Sequence, residues 1–313
     1  LDGNALVPFF AASNFIASMS HKAGFVNILG KPNAGKSTLM NRLVGEKLSI
    51  VTPKAQTTRH RILGIVTEPD QYQIVFSDTP GYLEAKYGLH KAMMRFVEMA
   101  IEDADVILYM IDVTDPSDVE SYRTEILQAE SKLIVVLNKV DQLTDESLPA
   151  LIESWKVLAP KSEVIPISAE DGLNTSLLME RIVALLPEGE AYYGPDELTD
   201  KSERFLAAEI IREKIFLNYK QEIPYASEVG VDAFKDEGKL LRIEATIYVE
   251  RATQKGILIG HQGKELKKVG TAARLDMEKF WDKKVYLGLF VKVKDNWRND
   301  DRLLKYFGYK LGS

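Results

Sequence analysis

Gly30-Lys31-Pro32-Asn33-Ala34-Gly35-Lys36-Ser37 is the stretch whose reading decides the fold. It has the GxxxxGK[ST] spacing of a phosphate-binding loop. Ahead of it, Phe25-Val26-Asn27-Ile28-Leu29 is an apolar run suited to a buried parallel strand, and behind it Thr38-Leu39-Met40-Asn41-Arg42-Leu43 has helical apolar spacing. A strand feeding a glycine turn that opens a helix aims backbone N–H groups and the positive helix end at bound phosphate. The cradle then runs from Gly30 to Thr38. Lys36 reaches the β- and γ-phosphates, and the Ser37 hydroxyl ligates Mg²⁺. The sequence therefore predicts a nucleoside triphosphate ligand.

Working outward, apolar strand-like runs alternate with helix-like segments. Strands are expected over Gly24–Leu29, Gly64–Thr67, Gln73–Ser77, Val106–Val113, Lys132–Asn138 and Glu163–Ile167. Helices are expected over Lys36–Gly45, Gly88–Ile101, Glu120–Ser131, Leu148–Leu158 and Asn174–Leu186. This alternation predicts an α/β domain with a mostly parallel sheet, whose ligands bind at the carboxyl ends of the strands.

Three further motifs sit at such ends. Asp78-Thr79-Pro80-Gly81 follows Ile74-Val75-Phe76; an Asp there can hold Mg²⁺, and the Gly81 N–H can meet the γ-phosphate. Asn138-Lys139-Val140-Asp141 ends the run Leu133–Leu137. The Asp141 carboxylate can accept two parallel bonds from guanine N1–H and its 2-amino group, a donor pair that adenine lacks. Ser168-Ala169 follows Val164–Ile167 and can offer a backbone N–H to guanine O6. Between the first two motifs lies the polar stretch Val51-Thr52-Pro53-Lys54-Ala55-Gln56-Thr57-Thr58-Arg59-His60-Arg61.

In this order, each at a strand end, the motifs resemble the GTPase G domain and favour GTP/GDP over ATP. The resemblance makes the polar stretch the switch I segment, with Thr58 the first choice and Thr57 the second to close on Mg²⁺ and γ-phosphate. The metal set is then Ser37, Thr58 and Asp78. The catalytic set is Lys36, Thr58, Asp78, Gly81 and Asn33. One departure matters: Tyr82 follows Gly81, where Ras-type GTPases place the glutamine that orients the attacking water. In this the chain is similar to translation-factor-related GTPases with a hydrophobic residue there, and intrinsic hydrolysis is expected to be slow. Asn33 occupies the position at which related GxPNxGKS loops bind K⁺, which would neutralise charge developing beside the β/γ bridge.

The whole chain, at 313 residues with 45% hydrophobic and 27% charged residues, fits about two soluble domains. The absence of cysteine excludes disulfides, thiolate metal sites and Fe–S clusters, and agrees with a reducing cytoplasm. Residues 1–18 are expected to be a non-native extension ahead of a start at Met19. Ala5 to Ile16 is apolar, but Asp2 precedes it and no basic segment does. The G domain is expected over 19–190, with a polar, turn-rich linker over 191–203.

Charge divides the chain. Residues 1–200 carry 17 Lys/Arg against 29 Asp/Glu, whereas residues 201–313 carry 23 against 17, an asymmetry that points the second part at a polyanion. Within it, an apolar helix (Phe205, Ile210, Ile211, Ile215, Phe216) precedes strands expected over Ala226–Phe234 and Leu240–Glu250. Gly260-His261-Gln262-Gly263 then forms a GxxG loop between two helices, within a segment, 251–294, holding 11 Lys/Arg against 4 Asp/Glu. A strand over Val285–Lys294 completes the αββααβ order. This resembles an α+β type II KH domain over 204–313, C-terminal tail included. In KH domains the GxxG loop clamps the backbone of about four single-stranded nucleotides. The RNA-binding candidates are Lys255, Gly260, His261, Gln262, Gly263, Lys264 and Lys267.

A G domain followed by a type II KH domain and the stretch Val291–Arg298 resembles the Era family of bacterial ribosome-assembly GTPases. That likeness implies binding to the 3′ end of 16S rRNA during assembly of the 30S subunit. It also implies a monomer in the cytoplasm with peripheral association to the inner membrane. Two other readings use fewer of the residues. An ATP-dependent kinase or transferase leaves Asn138 and Asp141 unexplained, and a passive RNA-binding module leaves Thr57, Thr58 and Asp78 idle.

Overall fold

The computed structural model describes residues 21–115, 117, 126, 131–143 and 147–310. The extension over 1–18 and most of the helix expected over Glu120–Ser131 lie outside the described residues. The first domain is built on six strands: β1 (Lys22–Gly30), β2 (Ile62–Glu68), β3 (Tyr72–Asp78), β4 (Val106–Asp112), β5 (Lys132–Asn138) and β6 (Glu163–Ile167). Their order is β2-β3-β1-β4-β5-β6. Every pair is parallel except β2 with β3. Only three residues connect that pair, with Asp70 at a positive φ, and so short a turn permits only an antiparallel return.

Helices α1 (Lys36–Val44), α2 (Gly88–Glu102), α3 (Leu148–Leu158) and α4 (Thr175–Leu185) cover both faces. One apolar core lies against α1 and α4, the other against α2 and α3. Burial on both sides explains why β4 and β5 read as unbroken apolar runs rather than alternating ones. Chain order reverses at β1, which has β3 on one side and β4 on the other, so a crevice opens beyond its carboxyl end. The phosphate loop fills that crevice.

The second domain comprises α5 (Glu203–Asn218), β7 (Glu228–Asp236), β8 (Leu240–Val249), α6 (Ala252–Ile259), α7 (Lys264–Trp281), β9 (Lys284–Val293) and α8 (Asp301–Tyr306). Its sheet runs β7-β8-β9, antiparallel then parallel. Helices α5, α6 and α7 pack on one face around Ile243, Ile247, Leu258, Val269 and Met277. Helix α5 is buried nearly all round. Ala207, Ile211 and Ile215 face the sheet core, while Glu209, Arg212, Glu213 and Lys214 are also sequestered. Burial of that charged row is possible because every member is paired: Arg212 with Glu209 at 2.5 Å, and Lys214 with Glu213 at 2.7 Å.

Two long-range contacts were not visible in the sequence. The stretch read as a linker runs along the sheet edge: Ile65 N donates to Leu198 O at 2.9 Å, and Tyr192 N and Tyr193 N both donate to the Gln73 side chain. The tail also folds back. Trp297, with no exposed surface, donates from Nε1 to Ala226 O at 2.9 Å and joins Leu304, Phe307 and Tyr309 in an apolar cluster with Leu89, Met93 and Phe96 of α2.

His60 is sealed between the domains, stacked on Tyr309 at 4.2 Å and edge-on to Phe205. Burial pushes its imidazole down to about 3; Glu228 opposes this, and Arg212, Lys201 and Arg59 add to it. The ring is therefore neutral in the fold and protonates in the unfolded chain below about 6.5. Its contribution is fully present above that pH and is lost as pH falls toward 3, by at most about 1.4 kcal/mol per unit. Urea midpoints measured from pH 7.5 down to pH 5 should fall less steeply for His60→Phe, which keeps the ring contacts, than for the parent chain.

Candidate functional site: a nucleotide cradle joined to a nucleic-acid groove

A cavity of about 440 Å³ lies over the crevice, lined by Pro32, Asn33, Gly35–Thr38, Ile50–Lys54, Gln56–Thr58, Gly81, Asp112, Asp115 and Lys139. Helix α1 has no side-chain cap, so the positive end of its backbone opens into this cavity. Lys36 is buried and spans the loop, donating to Gly30 O at 3.0 Å and Lys31 O at 2.6 Å. Gly81 is pressed against the loop: a Cβ there would stand 2.5 Å from Pro32 N. Tyr82 packs against the apolar core between α2 and the sheet.

Ser37, Thr58 and Asp78 converge. Ser37 Oγ lies 2.9 Å from Thr58 Oγ1 and donates to Asp78 Oδ2 at 2.6 Å; Thr58 Oγ1 is 3.4 Å from that same oxygen. Thr57 is turned elsewhere, its hydroxyl donating to Lys54 O and lying 2.6 Å from that of Thr52. The Asp78 carboxyl is pushed up by burial, against the pull of Ser37 and Lys36, and its Oδ1 has no hydrogen-bond partner. Hard oxygens around a buried, under-satisfied carboxylate suit Mg²⁺, which binds through one or two carboxylates and completes its shell from other hard oxygens, phosphate and water among them.

Asn138, Asp141, Ser168 and Ala169, expected to read the base, do not line this cavity. Asn138 acts as a brace: its Nδ2 donates to Ala34 O at 2.8 Å, and its Oδ1 accepts from Ala169 N at 2.9 Å. Both backbone amides that the sequence offered to the base are engaged within the protein, Ser168 N on Leu173 O and Ala169 N on Asn138. Lys139 adopts a left-handed φ of 68°, pairs with Asp112, and begins the turn Val140–Gln142 that carries the exposed Asp141. Asp112 and Arg42 were missed in the sequence. Asp112 ends β4, alongside Asn138 at the end of β5, and that position is the signal that could have found it. Arg42 reaches from α1 to Ala169 O at 2.6 Å, and its sequence surroundings carry no such signal. Asn33, at a φ of 65°, donates to Pro53 O at 3.2 Å and so ties the loop to the polar stretch.

That polar stretch and the turn before it reach the second domain at several points. Lys47 pairs with Glu213 at 2.8 Å, and Lys54 donates to the carbonyls of Phe216 and Tyr219. Arg59, buried, donates to Ser227 O at 2.7 Å, to Pro224 O at 2.9 Å and to Glu228 at 2.9 Å. Two residues on, Arg61 turns back into the first domain, to Ser77 Oγ at 2.7 Å and to Asp103.

In the second domain the GxxG loop links α6 to α7. Gly260 and Gly263 have φ of 69° and 76°, and a Cβ on Gly263 would meet nothing within 4 Å, so that side is open to an approaching backbone. His261, Gln262, Lys264 and Lys267 are exposed around it. A groove runs from Gly263, Leu266 and Lys267 to Leu287 and Leu289 of β9, and continues past Lys255 and Ile259.

Residues 25–139 match the 50S ribosome-binding GTPase family, and residues 222–298 match the KH domain family. The chain is 46% identical to GTPase Era of Syntrophus aciditrophicus over 93% of this chain and 96% of that protein. It is 45% identical to GTPase Era of Geobacter metallireducens over 92% and 98%. Era solved with MgGDPNP and nucleotides 1506–1542 of 16S ribosomal RNA superposes with a TM-score of 0.88 at 41% identity, covering 93% of this chain and all of that one. A single-residue variant of Aquifex aeolicus Era bound to GDP·AlF4⁻ gives the same score, identity and coverage. With a glycine-rich loop opening a helix and a GxxG groove in one chain, and with this likeness along nearly its full length, the chain belongs to the Era family of GTPases.

Proposed function

We propose that this GTPase binds the 3′ end of 16S rRNA in its second domain and works in assembly of the 30S subunit, with the bound nucleotide controlling the grip on RNA. One observation carries the reading. Thr58, beside Ser37 and Asp78, is covalently next to Arg59, which is buried among Pro224, Ser227 and Glu228 at the base of the second sheet. Thr58 stands at the metal-site residues while Arg59 is seated, so a γ-phosphate that held Thr58 there would also favour that seating. Lys36, Thr58, Asp78, Gly81 and Asn33 form the proposed catalytic set, with Ser37, Thr58 and Asp78 holding Mg²⁺. The metal would neutralise charge on the β/γ-phosphates. Lys36 and the α1 amides would orient those phosphates. Asp141 would select guanine. We further propose, on the family likeness, that the protein acts as a monomer in the cytoplasm with peripheral contact to the inner membrane; no helix among the described residues is long and apolar enough to cross a membrane.

K⁺ is proposed at Asn33. The Asn33 side chain lies at the cavity wall beside Pro53, where its amide oxygen could meet a monovalent cation. Tyr82, packed against the core, carries a single hydroxyl and no amide with which to orient water as a glutamine does.

Three measurements test these assignments. Competition among GTP, XTP and ATP should favour GTP in the parent chain and shift toward XTP in Asp141→Asn; equal competition by ATP would refute guanine selection. Affinity for the 1506–1542 RNA should differ between GDP and a non-hydrolysable GTP analogue. The difference should shrink severalfold in the double variant Arg59→Met/Glu228→Gln, which removes the buried pair without stranding one charge. Steady-state hydrolysis should be faster in K⁺ than in Na⁺ at equal ionic strength, and Asn33→Ala should erase the gap.

A further inference from the structure

The sheet of the second domain has a second face, opposite the helices. On β9 the residues of that face are Lys284, Tyr286, Gly288, Phe290 and Lys292, two aromatic rings set between lysines, and Lys294 follows the end of the strand. The rings are open, Tyr286 at 49% and Phe290 at 56% exposure. On the neighbouring strand Arg242, paired with Glu237 at 3.2 Å, stands opposite Tyr286 with its guanidinium 4.7 Å from the ring centroid; Glu244, the one carboxylate opposite the row, faces Gly288, and Thr246 faces Phe290. Strand β9 is the edge of the sheet, so no strand among the described residues pairs with its outer side.

Charge and continuity name the occupant. Lysines that bracket exposed rings suit a polyanion with π faces, because successive bases stack on aromatics while cations follow the backbone. An apolar protein partner would instead meet a row ringed by ammonium groups. The row is also continuous with the GxxG groove: Phe290 and Lys292 border the same depression as Lys255, Ile259 and Leu266 on the helix side. A strand of RNA continuing from that groove across the open edge of β9 would meet Phe290 first and Tyr286 next.

We propose that the outer face of β9 is a second platform for single-stranded RNA, on which nucleotides beyond those held by the GxxG loop stack on Phe290 and Tyr286. Lys284, Lys292 and Lys294 hold the phosphates of that segment, and Arg242 props the Tyr286 ring from beneath. This rests on the RNA-binding reading given above, and it adds a contact that depends on RNA length.

The test is anisotropy titration of the full-length protein with a labelled copy of 16S nucleotides 1506–1542 and truncations of it, down to the shortest piece that binds. The shortest piece should bind the double variant Tyr286→Ala/Phe290→Ala as it binds the parent, because that piece fills only the groove. Longer RNAs should bind the parent more tightly and the double variant about tenfold or more weakly, in line with the loss expected per stacked base. Tyr286→Trp/Phe290→Trp should restore the gain, and Tyr286→Leu/Phe290→Leu should not. Equal affinity of parent and double variant for the long RNA overturns the platform, as does rescue by leucine. Self-association of the parent that the double variant abolishes would make this face a contact between copies and would also overturn it. Loss of binding to all lengths in Gly263→Asp, with the parent intact, upholds the groove; failure of the parent to bind any length refutes the RNA-binding reading itself.

Discussion

Arg59 is the contact on which the arrangement of this molecule depends. Its guanidinium leaves the nucleotide-binding domain and is wholly enclosed by the other, on two carbonyls and the carboxylate of Glu228. Both side chains of the pair are almost inaccessible, at 1% and 4%. Withdrawing two charges from water costs several kcal/mol each, so the pair is a poor source of stability. It is a strong source of uniqueness, because any other docking would strand one of the charges. Tyr309 donates to the same Glu228 carboxylate at 2.6 Å, which brings the tail into the arrangement. Arginine at 59, a carboxylate at 228 and a phenol at 309 thus specify one relative placement of the two sheets.

Around that point the interface is layered by chemistry. On one side is the aromatic cluster of Trp297, Phe307 and Phe96; on the other, the paired charges of α5 meet the polar stretch. His60 lies between, neutral because it is buried. An apolar interface alone would slide at little cost, and a charged one alone would be weak in water. Together they hold the domains in register.

Much of this was legible from local pattern. The phosphate loop, the strands carrying the motifs and the GxxG turn each depend on residues within a few positions of one another, so spacing alone reveals them. The long-range features were not. Nothing near Asn138 announces that its amide braces Ala34 against Ala169, 104 and 31 residues away. The sequence could not separate Thr57 from Thr58, since identical adjacent side chains differ only in which way the backbone turns them. The stretch from 191 to 203 reads as a tether because it is polar, yet its hydrogen bonds go to Gln73, Leu63 and Ile65 on the sheet edge. Polarity reports exposure to water and is silent on backbone pairing.

The adjacency of Thr58 and Arg59 has a consequence for how information could cross this protein. Allosteric links are usually pictured as chains of side chains, any of which can be softened or retuned by substitution along the way. Here the two ends are neighbouring residues, about 3.8 Å apart across a single planar peptide unit. The connection has no intermediate, hence no slack and no adjustable middle. A variant chain could weaken the hold at either end. It could not lengthen the transmission without inserting a residue, and an insertion would aim Arg59 away from its pocket.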